Sequence, residues 1–99
     1  MPLTENILKK VAEDTGVSLD ELTASSLLAL LREKKRKIMI ERLDVLSRYG
    51  VSSADELEKK IKEGTVAEHP AWEDLTLVEN LEAAIAIIDR DTESIQESS

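Results

Sequence analysis

The chain has 99 residues, a net charge of −8 and no cysteine. A single domain of this size can bury a usable core without disulfides or metal. The lack of cysteine excludes a disulfide framework, a thiolate metal site and a cysteine nucleophile. The negative charge argues against general binding to nucleic acids or anionic membranes, because it repels polyanions at long range.

The composition predicts an all-α protein. Its apolar residues are mostly leucine, isoleucine, valine and alanine, and glutamate and lysine are abundant, as in helical proteins. No run approaches the roughly 18 consecutive apolar residues of a membrane-spanning helix. The first ten residues, MPLTENILKK, lack the basic region and long apolar run of a signal peptide. We therefore expect a cytoplasmic protein with no membrane partner.

Four helices are predicted in chain order, at about residues 4–15, 19–49, 54–63 and 70–93. Residues 1–93 are expected to form a single helical domain, and the polar residues 94–99 to fray. A glycine follows each of the first three helical patterns, as expected of a residue that tolerates the left-handed backbone ending a helix: Gly16, Gly50 and Gly64. Two helix starts match the capping box: Ser18 with Glu21, and Ser53 with Glu56.

Helix 2 is too long for a compact globule. It would span about 46 Å, whereas a compact domain of this size has a radius of gyration of about 13 Å. It must overhang, bend near Thr23 and Ser26, or be covered by another element. Helix 4 is the expected cover, because it carries a heptad seam with Thr92 as its one polar position: Val78, Leu81, Ile85, Ile88 and Ile95.

Charge supports the same pairing. Residues 32–50 hold seven basic and three acidic residues, whereas residues 63–99 hold ten acidic residues and one basic residue. An antiparallel arrangement would place the acidic helix 4 beside the basic middle of helix 2. The sequence therefore predicts an elongated four-helix arrangement built on a long antiparallel hairpin of helices 2 and 4.

The stretch EHPAWEDL contains the only histidine and the only tryptophan of the chain. Pro70 suits the first helical position, Glu73 and Asp74 favour the positive end of the helix dipole, and Trp72 is a candidate buried anchor between helices 3 and 4. His69 and Glu73 share a helix face and could bind a metal or act as acid and base. A metal site needs two or three more ligands, so we interpret the stretch as a helix start. No catalytic, metal-binding or cofactor-binding residue is predicted.

The basic run REKKRK, residues 32–37, is a second candidate site. It could contact phosphate through four residues: Lys34, Lys35, Arg36 and Lys37. Glu33 interrupts the run, and no aromatic residue is interleaved with it. A solvated face, or pairing to helix 4, is the preferred interpretation.

The segment ILKKVAEDTGVSLDELTASSLLALLRE, residues 7–33, resembles the helix–turn–helix half of ribbon-helix-helix antitoxins and regulators. The resemblance rests on Thr15, Gly16, Ser18, Glu21 and Leu22. That family reads DNA with a short N-terminal strand of basic or polar side chains. MPLT is shorter and more neutral than that strand, so no DNA-contacting residue is carried over. The whole chain also resembles small prokaryotic proteins of unassigned role. The resemblance implies an antitoxin-like protein.

Helices 2 and 4 carry more apolar residues than one packed face requires, since such a face takes about three positions in seven. The predicted interaction face comprises Leu27, Leu28, Leu30, Leu31, Ile38, Ile40, Leu77 and Ile87. Monomers rarely leave such a patch in water, and a two-fold dimer is the commonest way to bury it. A different partner protein is the alternative.

Three functions remain open from the sequence. The first is a non-enzymatic protein–protein interaction module, and more specifically an antitoxin-like one. The second is a nucleic-acid-associated regulator that uses residues 32–37. The third is an enzyme centred on His69, which has the least support because no phosphate loop, nucleophile elbow or zinc-binding spacing is present.

Overall fold

The computed structural model describes residues 4–98, which form four α-helices and no strand. The helices are α1 (Glu5–Thr15), α2 (Leu19–Ser47), α3 (Ala54–Lys62) and α4 (Glu68–Ser98). The molecule measures 60 × 29 × 18 Å and has a radius of gyration of 19.5 Å, well above the about 13 Å of a compact domain of this length. The predicted elongated all-α arrangement is confirmed. Predictions that involve residues 1–3 or residue 99 lie outside the described residues.

Local hydrogen bonds begin and end the helices where the sequence predicts them. The Ser18 hydroxyl accepts the backbone N–H of Glu21 at 3.1 Å, and the Ser53 hydroxyl accepts that of Glu56 at 3.1 Å. The Glu56 carboxylate reaches back one residue further than predicted and accepts the N–H and the hydroxyl of Ser52. Gly16 ends α1 with φ of +74°, a conformation that side chains with a Cβ disfavour.

α2 is a continuous helix, so it overhangs rather than bends. The hydroxyls of Thr23 and Ser26 donate to the carbonyls of Leu19 and Leu22, each four residues earlier. Both side-chain hydrogen bonds are made to the carbonyl one helical turn earlier, as serine and threonine commonly do inside a helix. The backbone stays helical through the position where a bend was considered.

The predicted fraying of the C-terminal tail is wrong for residues 94–98, because α4 continues to Ser98 rather than ending near 93. The hydroxyls of Ser94 and Ser98 donate to the carbonyls of Arg90 and Ser94. Neither glycine nor proline occurs after Pro70 to end the helix. Polarity alone therefore does not stop it.

The buried core lies at one end of the hairpin, where α3 packs on α4 beside the end of α2. Its members are Val45, Leu46, Val51, Leu57, Ile61, Ala71, Leu75 and Val78. The Tyr49 hydroxyl donates a hydrogen bond to the Asp74 carboxylate, and Lys60 Nζ donates to the carbonyl of Tyr49 at 2.8 Å. These two bonds connect the turn that follows α2 to α3 and α4 around the core.

The prediction that Trp72 is a buried anchor is wrong. Its relative exposure is 38 %, whereas its neighbour Ala71 is fully buried. Regular helix follows the non-helical His69 and Pro70, and this start directs Ala71, Leu75 and Val78 into the core. Trp72 lies about 100° further around the helix, so it faces outward.

Candidate interaction surface

Two ion pairs define how α2 and α4 face each other. Lys35 Nζ lies 2.7 Å from Asp89 Oδ1, and Arg42 Nε lies 3.8 Å from Glu82 Oε1. The paired residues are one heptad apart on each helix, and their order shows that the helices are antiparallel. The predicted heptad seam of α4 lies on its packed side: Val78 and Leu81 are buried, and Ile85, Ile88, Thr92 and Ile95 are half-buried. The exposed Asp89 pairs with Lys35 at the edge of this seam.

The basic run is only partly free. Lys35 is paired with Asp89, and the Arg36 guanidinium donates two hydrogen bonds to the Glu33 carboxylate, at 2.7 and 3.0 Å. The hydrogen bond from Arg36 lowers the pKa of Glu33. Lys34 and Lys37 are exposed and form no ion pair with any residue in the range 4–98. Two of the four predicted phosphate contacts are therefore already engaged within the chain.

His69 and Glu73 meet as their spacing predicts, with His69 Nδ1 2.7 Å from Glu73 Oε1. The pair is open to solvent, with side-chain exposures of 80 % and 60 %. The backbone N–H of Glu73 itself, and then His69, lower the pKa of the Glu73 carboxyl. In the described part of the chain, no cluster of three or more metal-ligating side chains includes this pair or forms elsewhere. The arrangement can stabilise the start of α4 through the helix dipole.

The eight residues predicted as an interaction face separate into three groups. Four are about half exposed, at 45–54 %: Leu27, Leu30, Ile40 and Ile87. Three are half-buried between or beside the helices: Leu28, Leu31 and Ile38. The eighth, Leu77, is half-buried as well and packs against the core cluster.

Further apolar side chains are exposed that the predicted face does not include. They are Ile7, Val11, Met39 and Leu43, the last exposed to 63 %. Leu43 could have been found from the sequence, because it follows Met39 and Ile40 at spacings of four and three residues. It was missed because its role depends on which side of α2 faces α4.

One side of the α2–α4 hairpin forms what we call the apolar groove. Its α2 wall is the row Leu27, Leu31, Lys34 and Ile38, and its α4 wall is the row Ala84, Ile88, Asp91 and Ile95. Both rows have the 4–3–4 spacing of a heptad face. Six of the eight residues are apolar; Leu27, Lys34 and Asp91 are exposed and the others are half-buried.

The two rows lie on the same side of the hairpin for a geometric reason. Lys34 precedes the contact residue Lys35, and Ile88 precedes the contact residue Asp89. Viewed from one end, antiparallel helices turn in opposite senses, so a step toward the N-terminus on either helix leads to the same side. The groove adjoins a cavity of ≈ 980 Å³ beyond the end of α4, which shares Leu27 and Ile95 with it.

No helix in the range 4–98 is both long enough and apolar enough to cross a membrane. Searches of curated proteins and of solved structures gave no match to the chain. A family model does match, over residues 1–95, which is nearly the whole sequence. The chain thus belongs to the Uncharacterized protein MJ0235 family, a group of unassigned role.

Proposed function

We propose that the protein is a non-enzymatic, cytoplasmic protein–protein interaction module that self-associates through the apolar faces of α2 and α4. The observation that carries this proposal is the apolar groove, together with Leu30 beside it, which is 54 % exposed. Helices α1 and α3 leave these side chains in contact with water. Contiguous apolar surface of this kind marks an interaction site in soluble proteins.

The expected affinity follows from the exposure. Burying a leucine or isoleucine side chain completely stabilises by about 1.5–3 kcal/mol, so each half-exposed residue contributes about 1 kcal/mol. Five or six such residues on each copy give about 10 kcal/mol, against an association cost of about 4–15 kcal/mol. At most about 6 kcal/mol remains, so self-association with a Kd of tens of micromolar or weaker is expected.

Light scattering coupled to a sizing column tests the proposal at about ten to a hundred micromolar protein. We expect an average mass above the 11.0 kDa of the chain that rises toward twice this value as the concentration increases. Leu30→Asp should shift the equilibrium toward the monomer, whereas Thr76→Asp, on an exposed position of α4 outside the groove, should not. A monomer mass at every concentration would refute self-association and leave a different protein as the partner.

The finer proposal is an antitoxin-like role. It is supported by the α1–α2 unit, whose capped turn at Gly16 and Ser18 is formed, and by the exposed apolar side chains of α2. Co-expression with the product of a neighbouring toxin-like gene should neutralise that product and yield a stable complex. Continued toxicity in the presence of soluble protein would contradict this role.

The alternative is a nucleic-acid-associated regulator, favoured by the exposed Lys34 and Lys37. Its signature is a salt-dependent mobility shift with duplex DNA or RNA that Lys34→Ala and Lys37→Ala weaken. For an interaction module of net charge −8 we expect no shift near physiological ionic strength. A specific metal-dependent or catalytic activity lost in His69→Ala would instead overturn the non-enzymatic assignment.

A further inference from the structure

The two walls of the apolar groove are complementary to each other. Each row holds a single charged residue at its third position, Lys34 on α2 and Asp91 on α4. These charges do not meet within one chain: no ion pair joins Lys34 to any residue in the described range, and none joins Asp91. A second copy of the same groove would bring a partner for each.

Resting on the proposed self-association, we infer that two copies stack groove to groove about a two-fold axis parallel to their helices. In this arrangement α2 of each copy packs against α4 of the other, and Lys34 pairs with Asp91 of the partner subunit. The four long helices form an antiparallel bundle in which each α2 lies between its own α4 and that of the second copy.

Charge selects this axis. The axis parallel to the helices places α2 of one copy on α4 of the other. An axis lying across the helices would instead place α2 on α2 and α4 on α4. Residues 32–48 of α2 have seven basic and three acidic residues, and residues 79–97 of α4 have six acidic residues and one basic residue. Like-charged helices would repel in the second case.

The observed ion pairs also fix the height of each contact. In both pairs the two residue numbers add to 124, so α2 residue 34 is level with position 90 of its own α4. Rotation about an axis parallel to the helices does not change height. Lys34 is therefore within one residue, or about 1.5 Å along the axis, of Asp91 in the partner subunit.

The apolar residues of the two rows match in the same register. Ile38 is level with position 86 and Leu31 with position 93, so they fall within two residues, about 3 Å, of Ile88 and Ile95 on the opposite wall. The lysine and the aspartate thus meet between two apolar layers. A charge at such a position disfavours any register that leaves it without its counterpart.

A charge-swap experiment tests the contact. Lys34→Asp and Asp91→Lys should each weaken dimerisation by roughly tenfold or more, because the like-charge contact occurs twice per dimer. The double variant should recover most of the loss. Lys59→Asp, the same charge change on exposed α3, serves as the control and should leave the dimer unchanged. Circular dichroism confirms that every variant remains helical.

Cysteine crosslinking tests the axis directly, since the chain has no native cysteine. Lys34→Cys and Asp91→Cys chains, mixed and oxidised, should form a mixed disulfide dimer at the expense of either homodimer. Preferential Lys34→Cys homodimers would overturn the inference, because they require α2 to face α2. If the mass is that of a dimer but neither the mixed crosslink nor recovery in the charge-swap double variant is found, the inferred two-fold arrangement is overturned while self-association still holds. A monomer mass at every concentration would refute both the two-fold arrangement and the proposed self-association.

Discussion

Leu46 and Leu43 offer a matched test of where the core lies. Leu46 is fully buried in the cluster that joins α2, α3 and α4, whereas Leu43, three residues earlier on the same helix, is 63 % exposed. Leu46→Ala should lower the free energy of unfolding by about 2–5 kcal/mol through lost burial and a residual cavity. Leu43→Ala should change it by no more than about 0.5 kcal/mol. Helix propensity and the deleted atoms are the same in both variants, so the difference measures burial.

Urea unfolding followed by far-ultraviolet circular dichroism gives both values. The protein concentration must be held constant, because self-association would add stability by mass action. A domain of this length is expected to have a free energy of unfolding of about 5–15 kcal/mol. The expected loss in Leu46→Ala should therefore lower the urea midpoint of unfolding clearly. Equal losses at the two positions would refute the assignment of the core. A loss at Leu43 that grows with protein concentration would instead place Leu43 in an interface.

Three further predictions follow from contacts around the core and along the hairpin. Trp72→Ala should lower the free energy of unfolding in urea by about 1–2 kcal/mol, which is less than the about 3–5 kcal/mol expected of a buried tryptophan. The fluorescence emission of Trp72 in the native protein should lie close to that of the unfolded chain. Strongly blue-shifted native emission would contradict its exposure. Burial, together with the hydrogen bond to Asp74, raises the pKa of Tyr49 to about 12 from 10.0. The resulting stabilisation should be complete below pH 10.0 and be lost as the pH rises toward about 12; an ultraviolet titration midpoint near 10.0 would rule this out. A double-mutant cycle on Lys35 and Asp89 should give a coupling free energy below about 1 kcal/mol that shrinks with added salt, and a larger, salt-independent value would show that the pair is desolvated.

Helix starts, ends and the pairing of α2 with α4 were predictable from the sequence. Ser18 and Ser53 cap their helices through bonds that span three residues, and the positive φ of Gly16 depends only on its neighbours. The charge asymmetry predicted the antiparallel hairpin because opposite charges attract over the width of two helices. The buried side of α4 was also predictable, because the apolar heptad residues, among them Val78, Leu81 and Ile88, are buried or half-buried whereas Asp89 is exposed.

The sequence by itself determined the all-α class, most helix boundaries and the excess of apolar residues on α2 and α4, because these depend on local backbone preferences and composition. Only the tertiary structure decided which of those residues face water. A rotation of about 100° per residue separates the buried Ala71 from the exposed Trp72, and Leu77 is half-buried against the core cluster. A helix can rotate about its own axis by the angle of one residue with almost no change in its local backbone energy. The packing of neighbouring helices therefore decides which side chains stay exposed to a partner.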